Sequence, residues 1–290
     1  MSGTANSLLN RSAFANAGDA LAFSFGFLAR NAGGFVRRVA VPGLLGCCIL
    51  HSLLWIYCTQ LTTYLGYPSD GQAGKVLGIA AAGVLIMLLL HAIVVSRIGI
   101  LILGLESEKG AFFGISAAAW RIYVANLRLV LGLGLYGIAA ALIAGLLSRL
   151  GLETVPLLIF EAAAWLLLVW LVARSWFFLV PLSLQTRAES VLAASWRSSR
   201  GMVPSILLAV FPCLAVSFVI LVLGELSLRM IGIFSDVPAK ISFLDAIHLY
   251  ERNLWPFVLL VSVVYLFSNA LMTAVRIRMF RDMAPPAAPV

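Results

Sequence analysis

The chain has 290 residues, of which 62% are hydrophobic and only 11% charged, and its formal net charge is +8. A soluble domain carries about 25% charged residues and draws on them to keep its surface in water, a supply this chain lacks, in line with its mean hydropathy of +1.04. Soluble enzymes, coiled coils, disordered tails and secreted disulfide scaffolds are excluded, and the basic excess reads as membrane topology rather than nucleic-acid binding.

Residues 1–38 form an N-terminal cytoplasmic segment without the uninterrupted apolar core of a signal peptide. Its stretch from Ala13 to Phe35 mixes Phe14, Leu21, Phe23, Phe25, Phe27 and Leu28 with Asn16, Asp19, Arg30 and Asn31. That mixture predicts a helix lying in the membrane interface. Residues 39–282 follow as a six-span transmembrane domain. A charge at the bilayer centre costs at least about 2.5 kcal/mol, so long charge-free intervals mark the crossings. They place spans near 40–62, 76–96, 129–148, 155–174, 203–224 and 254–275, and only the fourth interval contains a charge, Glu161. Each supplies about the 20 residues a helix needs to cross 30 Å, and helix is required because lipid offers backbone groups no other partner. The outer segment from Gly224 to Asn253 sets Ile241, Phe243, Leu244 and Ile247 among Lys240, Asp245, Glu251 and Arg252, a second interfacial pattern. Residues 283–290, with three prolines, read as a disordered tail.

Lys and Arg set the orientation. With the N-terminus inside, fifteen fall on inner segments and five (Lys75, Arg149, Arg229, Lys240 and Arg252) on outer ones. This bias predicts a multi-pass protein with both termini cytoplasmic, in the inner membrane if the cell is Gram-negative.

A repeat lies in the loops. The second, fourth and sixth spans end at Arg97, Arg174 and Arg276. Trp120-Arg121 follows the first of these at a spacing of 23 and Trp196-Arg197 the second at 22, each behind a run of small residues. The pattern predicts a unit of one amphipathic interfacial helix plus a two-helix hairpin, used three times, around a pseudo-symmetric centre. Small-residue rows at Gly74/Gly78/Ala82 and Gly137/Ala141/Gly145 would allow close helix approach.

From Arg174 to Gly201 the chain reads Arg174, Pro181, Arg187, Glu189, Ser195-Trp196-Arg197 and Ser199-Arg200-Gly201. This stretch resembles the cytoplasmic loop of a six-helix bacterial membrane family, the membrane domain found ahead of some glycerophosphodiester phosphodiesterases, together with its stand-alone relatives. In that family an Arg ends the fourth span, a Pro follows, and a Ser-Trp helix closing in a Thr-Arg-Gly-like turn leads into the fifth. With the sixth span ending just before residue 290, no phosphodiesterase domain is expected to follow, and that catalysis is not expected here. The resemblance implies a plasma-membrane protein connected with lipid or envelope upkeep. Arg174, Arg187, Arg197 and Arg200, with Trp176 and Trp196 nearby, form a cluster of the kind that binds anionic headgroups; ordinary topology signalling accounts for the same arginines.

Inside the spans, Glu161 lies seven residues beyond Thr154, about 10 Å deep at helical rise. It is either a carboxylate facing the bundle or an interfacial one reaching back toward water. His51 and His91 mark the first hairpin, with Cys47 and Cys48 one turn from His51, and Asn269 marks the sixth span. Helix packing and hydrogen bonding account for these groups better than a metal site does. No metal, cofactor or catalytic residue is expected, since no HExxH, GxSxG or Walker pattern occurs. The expected function is non-enzymatic lipid or envelope homeostasis, through lipid binding or organisation of a protein partner or a second copy. The alternatives are a small-solute or lipid transporter, with Glu161 and Asn269 lining the path, and a membrane subunit of a separate soluble enzyme.

Overall fold

The computed structural model describes residues 13–66, 70–104, 115–149, 154–185, 190–230 and 254–283. Among these, helix is nearly continuous and no strand occurs. Helix α1 (Ala13–Arg30) leads through a short helical turn (Ala32–Phe35) and one π-helical turn (Val36–Ala40) into α2 (Val41–Gly66). Then come α3 (Asp70–Leu103), α4 (Ala117–Arg149), α5 (Thr154–Trp176), α6 (Leu179–Gln185), α7 (Val191–Ser198), α8 (Val203–Met230) and α9 (Leu254–Met283). Six segments are long and apolar enough to cross a membrane, one in each of α2, α3, α4, α8 and α9 and one that begins in α5 and runs through α6. The protein is an all-α, polytopic integral membrane protein. The C-terminal tail and most of the outer segment after Gly224 lie outside the described residues.

The helices depart from the expected boundaries where the chain has, or lacks, a breaker. A separate interfacial helix before the third span does not form: α4 runs unbroken from Ala117 through Trp120 and Arg121 to Arg149. No Gly or Pro occurs between Ala117 and Leu131, so nothing stops the hydrogen-bond ladder where the apolar run begins. Before the fifth span the interfacial helix α7 is separate, because Gly201 takes a left-handed φ of +78° that a residue with a Cβ adopts only at a cost. The fourth crossing also continues beyond Trp176. Phe177 through Ser183 are all buried, and Pro181 sits in the first turn of α6, where its missing N–H costs no helix bond.

Helix α9 is the hub, packing against α1, α2, α3, α6 and α8. Helix α1 offers it a face of small residues, Ala17, Ala20 and Ser24, all buried. Ala17 and Ala20 join one core cluster with Ala209 and Cys213 of α8 and Leu271, Val275 and Met279 of α9. The N-terminal amphipathic helix is therefore keyed into the bundle along one face. Close approach uses other glycines than the sequence rows. A Cβ on Gly43 would clash with the Leu266 side chain and one on Gly99 would stand 2.5 Å from that of Leu184, whereas Gly74, Gly78, Gly137 and Gly145 have nothing within 4 Å. In lipid, an apolar row does not mark itself as the contact row; the packing partner does.

Helices α4 and α5 form the outlying flank, and none of the most apolar stretch of either is buried. Tyr136 Oη ties them by donating to Ala164 O at 2.8 Å. Loss of this bond in Tyr136→Phe should lower stability by about 0.6 kcal/mol, the average for an interhelical side-chain bond in a membrane. A small, reproducible fall of the unfolding midpoint in mild detergent checks it; a fall as large as that of a core cavity would contradict a peripheral hairpin.

Candidate functional site at the basic end of the bundle

Up-and-down connectivity brings the starts of α2, α4 and α8 and the ends of α3, α5 and α9 to one end, which also carries α6 and α7. Cross-contacts verify it: Arg97 Nη1 donates to Arg38 O at 3.4 Å, and Arg121 Nε donates to Ser183 O at 3.0 Å. Arginines crowd this end, and three of them reach inward by three different routes.

Arg174, at the end of α5, latches α7. Its Nη2 donates to Trp196 O at 2.6 Å and its Nε to Ser199 Oγ at 3.5 Å. The guanidinium lies 4.2 Å from the Trp196 ring centroid and 5.2 Å from that of Trp170, and the two indoles meet edge-to-face at 5.3 Å. The Arg174 carbonyl in turn accepts from Ser199 Oγ at 2.9 Å and Ser195 Oγ at 3.3 Å. The turn closes with Met202 N donating to Ser199 O at 3.1 Å. Thus Arg174, Ser195, Trp196, Ser199 and Gly201 form one connected structural unit, and its arginine is taken up by protein partners. Arg197 and Arg200 are exposed on the same unit; Arg187 and Glu189 lie outside the described residues.

Arg276, on the hub helix, is 1% exposed. Its guanidinium sits 3.6 Å from the Trp176 ring centroid and 5.8 Å from that of Phe177. Its Nε and Nη2 have no hydrogen-bond partner among the described residues. Trp176 also stacks with His91 at 6.3 Å, and His91 Nδ1 is 3.0 Å from Tyr265 Oη. Arginine, indole, imidazole and phenol therefore form a continuous file across α9, α5 and α3. Tyr265 and Arg276 were not among the expected site residues, and Trp176 was expected only beside the Arg174 cluster. The available signal was the sequence Ala274-Val275-Arg276-Ile277, an arginine still inside the apolar run while Arg278 and Arg281 lie beyond it.

Tyr265 leads from this file into a crevice of about 150 Å³ between α2, α3 and α9. Its wall is almost wholly apolar, including Gly43, Gly46, Leu50, Leu90 and Val94, with His51 and Cys47 along it and Arg97 at the basic end. His51 and Cys47 thus share one wall, while His91 turns to Tyr265. Among the described residues no three His, Cys, Asp or Glu side chains come together as a metal site. No family model, curated protein or solved structure matches the chain.

The two remaining expected site residues inside the spans differ in character. Glu161 is exposed on α5, on the flank that also exposes Leu158 and Trp165. Asn269 is half-buried in the hub helix and donates through Nδ2 to Tyr265 O, one turn back, at 2.8 Å. An amide satisfied by its own helix behind Tyr265 serves to hold that turn.

Proposed function

We propose that the protein is a non-enzymatic, lipid-binding protein of the plasma membrane, both termini cytoplasmic, that acts in lipid or envelope homeostasis. The observation that carries this reading is the crevice between α2, α3 and α9, apolar along its length and bounded by Arg97 at the basic end. An acyl chain suits such a wall, since every methylene withdrawn there keeps apolar neighbours. An anionic headgroup suits the rim, because Arg97 is fastened to Arg38 O and Arg37 and Arg38 are exposed beside it. A basic side chain near the membrane surface attracts anionic lipid by about 1 kcal/mol. The fifteen-to-five distribution of Lys and Arg supports placing this end in the cytoplasm. The resemblance of residues 174–201 to the membrane domain of glycerophosphodiester phosphodiesterases supports the lipid connection.

Native mass spectrometry of the full chain released from mild detergent tests the reading. The expected result is a retained anionic phospholipid that is lost in Cys47→Phe, which fills the crevice. In Arg97→Gln the preference for phosphatidylglycerol over phosphatidylcholine should fall about fivefold. Retention unchanged by Cys47→Phe would overturn it.

A further inference from the structure

A second recess at the basic end lies between the start of α4 and the start of α7, with a volume of about 230 Å³. Its wall holds Trp120, Arg121 and Arg128 from α4 and Ser190, Val191 and Leu192 from α7. We propose that this recess binds the phosphate of an anionic phospholipid headgroup. The proposal rests on the lipid-binding reading above but on different residues.

Four observations converge. Arg121 and Arg128 stand seven residues apart, two helical turns, on one side of α4. Arg121 is held by its bonds to Ser183 O, which fixes its guanidinium before any ligand arrives. Arg128 is exposed and makes no hydrogen bond or ion pair among the described residues, so its charge is free for a ligand. Ser190 caps α7 by position but its side chain makes no cap hydrogen bond, leaving the first N–H groups of an eight-residue helix beside the recess, where they and the helix dipole favour an anion.

Depth decides the class of ligand. Arg149 closes the other end of α4, 21 residues from Arg128, a rise of about 31 Å. That equals the hydrocarbon thickness, so Arg128 stands at the acyl–headgroup boundary and Arg121 about 10 Å further out, at the level of lipid phosphate. Trp120, half exposed and packed on Tyr123 at 5.3 Å, is the amphipathic side chain expected at that level.

The test uses the full chain in nanodiscs of phosphatidylcholine with phosphatidylglycerol, followed by native mass spectrometry. Arg128→Gln should lower the preference for phosphatidylglycerol about fivefold, Arg128→Lys should keep most of it, and the unfolding midpoint should stay put because Arg128 has no hydrogen bond or ion pair to lose among the described residues. Cys47→Phe should empty the crevice and leave this lipid bound. Loss with Arg128→Gln but none with Cys47→Phe would therefore uphold the recess while removing the crevice. Phosphatidylglycerol preference unchanged in Arg128→Gln would overturn the proposal. Displacement of the lipid by millimolar inorganic phosphate would overturn its lipid part, marking the recess as a site for a soluble phosphate.

Discussion

Arg174→Ala is expected to release α7 from the end of α5 and to destabilise the protein by about 3 kcal/mol. Two contributions are lost together. A hydrogen bond from a charged donor is worth about 1.5–3 kcal/mol, here the 2.6 Å bond to Trp196 O. A cation over an indole adds about 0.5–2 kcal/mol, and the guanidinium has an indole at 4.2 Å and another at 5.2 Å. The Arg174 carbonyl keeps its two serine donors, so α7 should loosen rather than unfold. Arg174→Lys should recover about half the loss, since an ammonium keeps the charge on the rings but not the planar fork. The unfolding midpoint in mild detergent, read together with a red shift of tryptophan emission, checks both variants. An unchanged midpoint in Arg174→Ala would show that the latch holds nothing.

Arg276→Met should act in the opposite direction. Burying an ion costs several kcal/mol unless good partners repay it. Arg276 is 1% exposed with two donor nitrogens unmatched among the described residues, and its main compensation is the face of Trp176. A desolvated cation–π contact returns about 2 kcal/mol, less than the burial costs. A flexible thioether of similar length fills the same space and still packs against the indole, so the variant should be more stable by about 2 kcal/mol. A rise of the unfolding midpoint, with lipid retention measured alongside, checks it. A fall of that size instead would show that the contacts of the guanidinium repay its burial. If stability rises while lipid retention drops, the arginine is kept for binding and not for folding.

The three span-ending arginines show where sequence pattern stops being informative. Arg97, Arg174 and Arg276 share one place in the repeat, and spacing alone gives them one role. In the fold Arg97 bounds a crevice, Arg174 clamps a neighbouring helix, and Arg276 is buried on an indole. The difference arises because α9 is the hub, so the same register position that meets the surface in α3 and α5 meets protein on every side in α9. The sequence groups Arg174, Ser195, Trp196, Ser199 and Gly201 in one stretch, but Arg174 reads as a headgroup ligand until its bonds to Trp196 and Ser199 are seen. The anion recess was not legible at all, since Arg128 and Ser190 are 62 positions apart.

Crossings, helical class and the crowding of arginine at one end follow from the sequence alone, because excluding charge from hydrocarbon is a local and costly condition that each segment meets by itself. Which face of each helix turns inward was decided only by the tertiary structure. A membrane span is apolar all round, so no stripe distinguishes lipid from protein; the choice between Gly43 and Gly78, or between Arg276 and Arg278, was made by the shape of the neighbouring helices.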